Sequence, residues 1–166
     1  MNRWNYFDLK IQKNIIVDIH LIMEITMEYE LITDRVQLEG TYYFEFLPGK
    51  YENKCWGEYS AYLTEDSLVL IEELLIQVNP CYDHYSVTEF SSRQINQFTE
   101  ELAKTIAKIE MDKYLIASTI FSDDYIKKLN KNLRAKKNEV IELVTDLKNW
   151  MEQMIQAYDT ITVIGI

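Results

Sequence analysis

Glycine and proline are scarce in this chain, and so are residues that hold metals. Four glycines and two prolines in 166 residues exclude a loop-built protein and predict regular elements joined by short connections. The glycines, at 40, 49, 57 and 165, are too scattered for a GxGxxG or Walker-type phosphate loop. His20 and His84 lie far apart, neither belongs to an HExxH pattern, and Cys55 and Cys81 form no CxxC pair. No metal and no cofactor are therefore expected. No uncharged apolar run reaches the roughly 18 residues of a membrane span, and the opening MNRWNYFDLKIQKN lacks the apolar core of a signal peptide. The expectation is a cytoplasmic protein with no membrane partner and with reduced thiols.

What is abundant is negative charge and tyrosine. The net charge is −10, from 27 acidic and 17 basic residues. It is distributed unevenly: residues 1–90 contain 16 acids and 6 bases, while residues 91–166 contain 11 of each. Such a surface repels nucleic acid, whose binding depends on Lys and Arg displacing counterions. It favours a basic partner through the long-range field that steers association, although solubility alone is the plainer account.

The pattern of elements predicts one α+β domain over residues 1–166. Its antiparallel sheet comes mostly from the N-terminal half and packs against helices that dominate the C-terminal half. Ile19, Leu21, Met23, Ile25, Met27, Tyr29 and Leu31 recur at every second position, the period of a half-buried strand. Tyr42, Phe44 and Phe46 alternate again before the Pro48-Gly49 turn signal, and WGEYSAYL (56–63) continues the pattern as an antiparallel meander. Thr64, followed by Glu65 and Asp66, caps a helix whose apolar face is Leu68, Ile71, Leu74, Leu75 and Val78, and Asn79-Pro80 stops it.

YDHYSVTEF (82–90) is expected as a further strand, with Tyr85, Val87 and Glu89 on one face and His84, Ser86, Thr88 and Phe90 on the other. Ser91 and Gln94 form a capping box, and Ile95, Phe98, Leu102, Ile106 and Ile109 give the helix behind it a continuous apolar stripe. Residues 113–121 fit either a helix or a buried strand. Residues 123–158 fit one long helix or two, with KNLRAKKN (131–138) as the break. The β-branched tail 160–166 is placed to complete the sheet.

No catalytic constellation emerges. Cys81, Asp83 and His84 invite a thiol-triad reading, but neighbours along a strand point to opposite faces. The carboxylate pairs Glu72-Glu73, Glu100-Glu101 and Asp123-Asp124 fit solvated helix faces and dipole compensation better than glycosidase chemistry. The bases from Lys127 to Lys137 lack interleaved aromatics and fit a solvated helix face. An enzyme would have to use His84 with Asp83 or Glu89.

The tyrosines point elsewhere. There are 12, with 3 tryptophans, and they crowd into residues 42–85 among acids. Tyrosine combines apolar area with a hydroxyl at low entropic cost, so it suits binding surfaces. Glu45, Glu52, Glu58, Tyr59, Tyr82, Asp83, Tyr85 and Glu89 are the candidate contacts for a Lys- and Arg-rich partner.

WGEYSAYL, then a capped helix, then YDHYSVTEFSSRQ running into an amphipathic helix resembles the small acidic immunity proteins of bacterial contact-dependent growth inhibition and other polymorphic toxin systems. The likeness covers residues 40–110 and carries nothing onto the C-terminal helical region. It implies a cytoplasmic, non-catalytic inhibitor that binds one cognate toxin domain, commonly a nuclease, and blocks its active site. The alternatives are an adaptor that oligomerises through its C-terminal helices and an enzyme built on His84.

Overall fold

The computed structural model describes residues 28–118 and 120–165. Four strands, β1 (Phe44–Pro48), β2 (Ala61–Leu63), β3 (Val87–Ser91) and β4 (Thr160–Ile164), form one sheet in the order β2-β1-β4-β3, with every neighbouring pair antiparallel. Among the described residues five α-helices accompany it: α1 (Glu65–Val69), α2 (Glu72–Val78), α3 (Ser92–Glu110), α4 (Asp123–Ala135) and α5 (Lys137–Met154). The fold is α+β, with three of the four strands drawn from residues 44–91 and the long helices from the C-terminal half.

The register explains the core. Residues paired across antiparallel strands share a face, so Phe44, Phe46, Ala61, Leu63, Phe90, Ile161 and Val163 lie together on the inner face and belong to one hydrophobic cluster. That face packs on α3, and α3 packs on α5. α3 contributes Ile95, Phe98, Leu102 and Ile109; α5 contributes Val140, Leu143, Val144, Leu147 and Met151. Each such side chain removed from water contributes about 1.5–3 kcal/mol before entropy is subtracted. The apolar stripe of α5 is thus covered within the chain.

Several local expectations hold for the expected reason. Thr64 Oγ1 accepts from Ser67 N at 3.3 Å. Gln94 Oε1 accepts from Ser91 N at 3.0 Å and from Ser91 Oγ at 2.8 Å, joining the cap to the first turn of α3. β3 alternates exposed and buried in the predicted phase, with Thr88 and Phe90 inward. Helix 123–158 is divided, as the polar stretch suggested: Lys136, at φ −111° and ψ 31°, separates α4 from α5.

Other expectations are corrected. The meander is interrupted, because β4 inserts between β1 and β3 and the tail becomes a central strand. In 56–63 only Ala61–Leu63 pairs, since the residues before it are drawn onto Glu45. Strand pairing in 82–90 begins at Val87. The helix after Thr64 breaks at Leu70-Ile71, with Ile71 at φ −124° and ψ −3°, so Glu72 starts a new helix. Residues 113–118 are neither helix nor strand. The segment is pinned by Asn130, which accepts from Ile116 N at 2.8 Å and donates to Ile116 O at 3.0 Å.

Of the alternating run 19–31, residues 19–27 lie outside the described residues, as do His20 and the N-terminal stretch. The described remainder forms no strand, and Ile32 makes a single antiparallel bridge to Tyr62. Among the described residues, no helix is long and apolar enough to cross a membrane. Cys55 and Cys81 are both free thiols.

Candidate functional site

One end of the sheet gathers the chemistry. There β1 and β3 begin while β2 and β4 end, as the pairings Phe44↔Leu63, Glu45↔Ile164 and Val87↔Ile164 require. The segment leading into β3 is folded tightly against the end of β4. Gly165 N donates to Ser86 O at 2.8 Å, and a Cβ on Gly165 would stand 2.0 Å from the His84 carbonyl oxygen. Only glycine permits that approach.

The approach places the His84 side chain inside. Its imidazole lies 4.8 Å from the Phe44 ring, 4.5 Å from Tyr85 and 5.6 Å from Phe121, each edge-on. Nδ1 is hydrogen-bonded to Glu72 Oε1, and both side chains are shut off from water. Tyr82 donates its hydroxyl to the same carboxylate oxygen at 3.2 Å. Burial first, and the Glu72 charge second, push the Tyr82 hydroxyl pKa well above its ordinary value. The second oxygen, Oε2, is buried without a protein partner among the described residues. The expectation that Glu72 belongs to a solvated helix face is therefore overturned; the break before α2 sets it inward while Glu73 stays exposed.

Two hollows open at this end. One, about 200 Å³, is lined by Tyr42, Phe44, Glu65, His84 and Tyr85. The other, about 350 Å³, is lined by Glu28, Glu30, Glu39 and Asp66 with Tyr43, Thr64 and two further residues. Tyr42 and Tyr43 are consecutive, as are Glu65 and Asp66, so the hollows lie side by side. Tyr42 is 81% exposed and Tyr85 68%, although both are large and partly apolar. Asp66 also accepts the hydroxyl of Tyr125, whose pKa is raised by burial and then by that bond.

The candidate contacts named from sequence do not form one patch. Glu45 is corrected outright: it is 3% exposed and accepts from Trp56 N at 2.8 Å, Gly57 N at 2.7 Å and Ser60 Oγ at 2.6 Å. Consecutive amides converging on a carboxylate make an anion-holding nest, and here they hold Trp56 at φ 67°. Glu45 is a fastener for the loop 49–60, not a contact. Glu52, Glu58 and Tyr59 ride exposed on that loop. Tyr82 is half-buried on Glu72. Asp83 and Tyr85 are exposed at the sheet end, and Glu89 is exposed on the edge strand β3, whose Glu89 carbonyl accepts from Asn79 Nδ2 at 3.2 Å.

Sequence reasoning missed Glu65, Glu72, Glu28, Glu30, Glu39 and Asp66. The signal for Glu65 and Asp66 was present: a capped helix starting directly after a strand must present its first turn at the sheet end. Among the described residues, no group of three or more His, Cys, Asp or Glu side chains is placed to hold a metal ion. The chain matches no protein-family model, no curated protein and no solved structure.

Proposed function

We propose that this chain is an immunity protein: a non-catalytic inhibitor that binds a cationic toxin domain, a nuclease in the commonest case, and occludes its active site. The observation that carries the reading is the pairing of an acidic hollow with exposed Tyr42 and Tyr85 at one end of the sheet. Carboxylates there would stand where a nuclease expects phosphates, and the net charge of −10 would speed the encounter. Exposed tyrosines are the residue type that anchors such interfaces once buried by a partner. The contact set inferred from sequence is accordingly shifted toward Glu28, Glu39, Tyr42, Glu65, Asp66 and Tyr85.

The test is co-expression with the product of the adjacent gene. The reading expects the chain to restore growth against a toxic neighbour and to co-purify with it. A toxic neighbour that neither binds the chain nor is silenced by it would contradict the reading.

A second reading rests on one observation. Glu72 holds His84 by Nδ1, and His84 lines a hollow, which is the arrangement of a general base with its orienting carboxylate. The lining contains no serine, threonine or cysteine nucleophile. A His84→Gln variant that still forms the complex but no longer protects would decide for this reading.

A further inference from the structure

We propose that the hollow lined by Tyr42, Phe44, Glu65, His84 and Tyr85 receives one arginine side chain of the partner; the proposal rests on the inhibitor reading above and names the group that the surface recognises.

Size comes first. At about 200 Å³ the hollow falls below the ~300–1,000 Å³ of pockets that enclose a drug-sized ligand or cofactor. It suits the head and upper stem of a single side chain. The lining comes next. Three of its five residues are Phe or Tyr, and Tyr42 and Tyr85 are largely uncovered. Aromatic faces around a small cavity attract a cation through their quadrupole.

The charge at the hollow has one sign. Glu65 is an exposed carboxylate in the lining. Behind the imidazole, the Glu72 carboxyl group is bonded to Nδ1, so the inner wall brings an acidic group with the histidine. Beyond Glu65, Asp66 and Glu39 line the neighbouring hollow.

Guanidinium fits this site better than ammonium. It is planar, more weakly hydrated, stacks on aromatic rings and meets a carboxylate with two parallel donors. A lysine head is a compact, strongly hydrated point charge that gains less from flat aromatic walls. A phosphate or an acidic peptide would meet Glu65 with like charge.

The experiment is a titration of the full chain, followed by 1H-15N and aromatic 1H-13C NMR, with N-acetyl-arginine amide, N-acetyl-lysine amide and N-acetyl-norleucine amide. The arginine probe is expected to shift the Tyr42, His84 and Tyr85 signals saturably, with a dissociation constant in the millimolar range. The lysine probe should bind at least about threefold more weakly, and the neutral norleucine probe should leave those signals unmoved. Tyr85→Ala and Glu65→Gln, both at exposed positions, should each weaken the arginine probe several-fold while the amide spectrum of the core stays in place. Equal response to norleucine, lysine binding as tight as arginine, or no saturable shift at all would overturn the proposal. Failure of the inhibitor reading is separately visible: arginine saturation in a chain that protects against no toxin leaves the hollow and removes the partner. Undiminished protection and complex formation by the Tyr42→Ala, Tyr85→Ala double variant overturns the hollow's role and leaves the inhibitor.

Discussion

Glu72 and His84 form a hydrogen-bonded pair that is closed to water on both sides, with side-chain exposures of 1% and 3%. A carboxylate so placed depends on its partner, since an ion left alone in the interior costs several kcal/mol. His84→Leu should therefore destabilise the chain by about 3–5 kcal/mol. The double variant Glu72→Met, His84→Leu should be clearly more stable than His84→Leu alone, because it removes a buried acid left with only the Tyr82 hydroxyl to hold it. Urea unfolding of the parent, Glu72→Met, His84→Leu and the double variant checks this. Strictly additive losses would show that the two side chains do not depend on each other.

Glu45 gives a second, independent stability prediction. Its carboxylate holds two consecutive amides and a hydroxyl that fix the loop 49–60 across the sheet. Glu45→Ala should cost about 3 kcal/mol, near the upper value for a hydrogen-bonded charged group. Exposed Glu58→Ala on the same loop should stay within about 0.5 kcal/mol. A Glu45→Ala protein as stable as the parent would mean that the nest does not hold the loop.

The tyrosines predict an alkaline limit. Burial raises the hydroxyl of Tyr114, which donates to the Leu70 carbonyl, to about 12. Burial together with nearby carboxylates raises Tyr29, Tyr82 and Tyr125 further. A hydroxyl whose pKa is higher in the folded than in the unfolded chain keeps its proton on folding after the unfolded chain has lost it. Stability is thus intact below the unfolded value near 10 and falls as pH rises through the folded values. Each fully protected tyrosine contributes a slope of up to about 1.4 kcal/mol per pH unit in that window. Unfolding free energy measured from pH 9 to 11.5 should fall with a slope that Tyr114→Phe makes shallower by nearly one proton. A stability curve flat across that window would refute the burial of these hydroxyls.

The sequence conveyed periodicity well and long-range placement poorly, and the residues show why. Ile95, Phe98 and Leu102 repeat at helical spacing, and Ser91 with Gln94 satisfies the first turn locally, so α3 was legible from its own residues. The β-branched tail was legible as a strand, but its central position depends on pairings with residues 44–48 and 87–91, which no local pattern encodes. Residues 113–118 failed both templates because the backbone of Ile116, at their centre, bonds the side chain of Asn130 instead of a helix turn or a strand. The site suffered most. Glu45 and Glu58 look alike in sequence, yet one is enclosed by the amides of Trp56 and Gly57 and the other faces water. Glu72 and Glu73 are adjacent, and a two-residue break decides which one meets His84. The acids and tyrosines are consequently divided between the loop 49–60, the edge of β3 and the sheet end, and the sheet end combines two adjoining hollows with exposed Tyr42 and Tyr85 and with carboxylates.

In the function proposed above, the acidic, tyrosine-bearing end of the sheet captures a cationic protein. Stopped-flow association of the chain with the basic product of the adjacent gene, measured from about 20 to 500 mM salt, tests it most directly, because screening shortens the Debye length from roughly 20 to 4 Å over that range. The association rate is expected to fall by at least tenfold, and the dissociation rate to rise mainly in the Tyr42→Ala, Tyr85→Ala variant. An association rate indifferent to salt, with dissociation unchanged by the two substitutions, would contradict it.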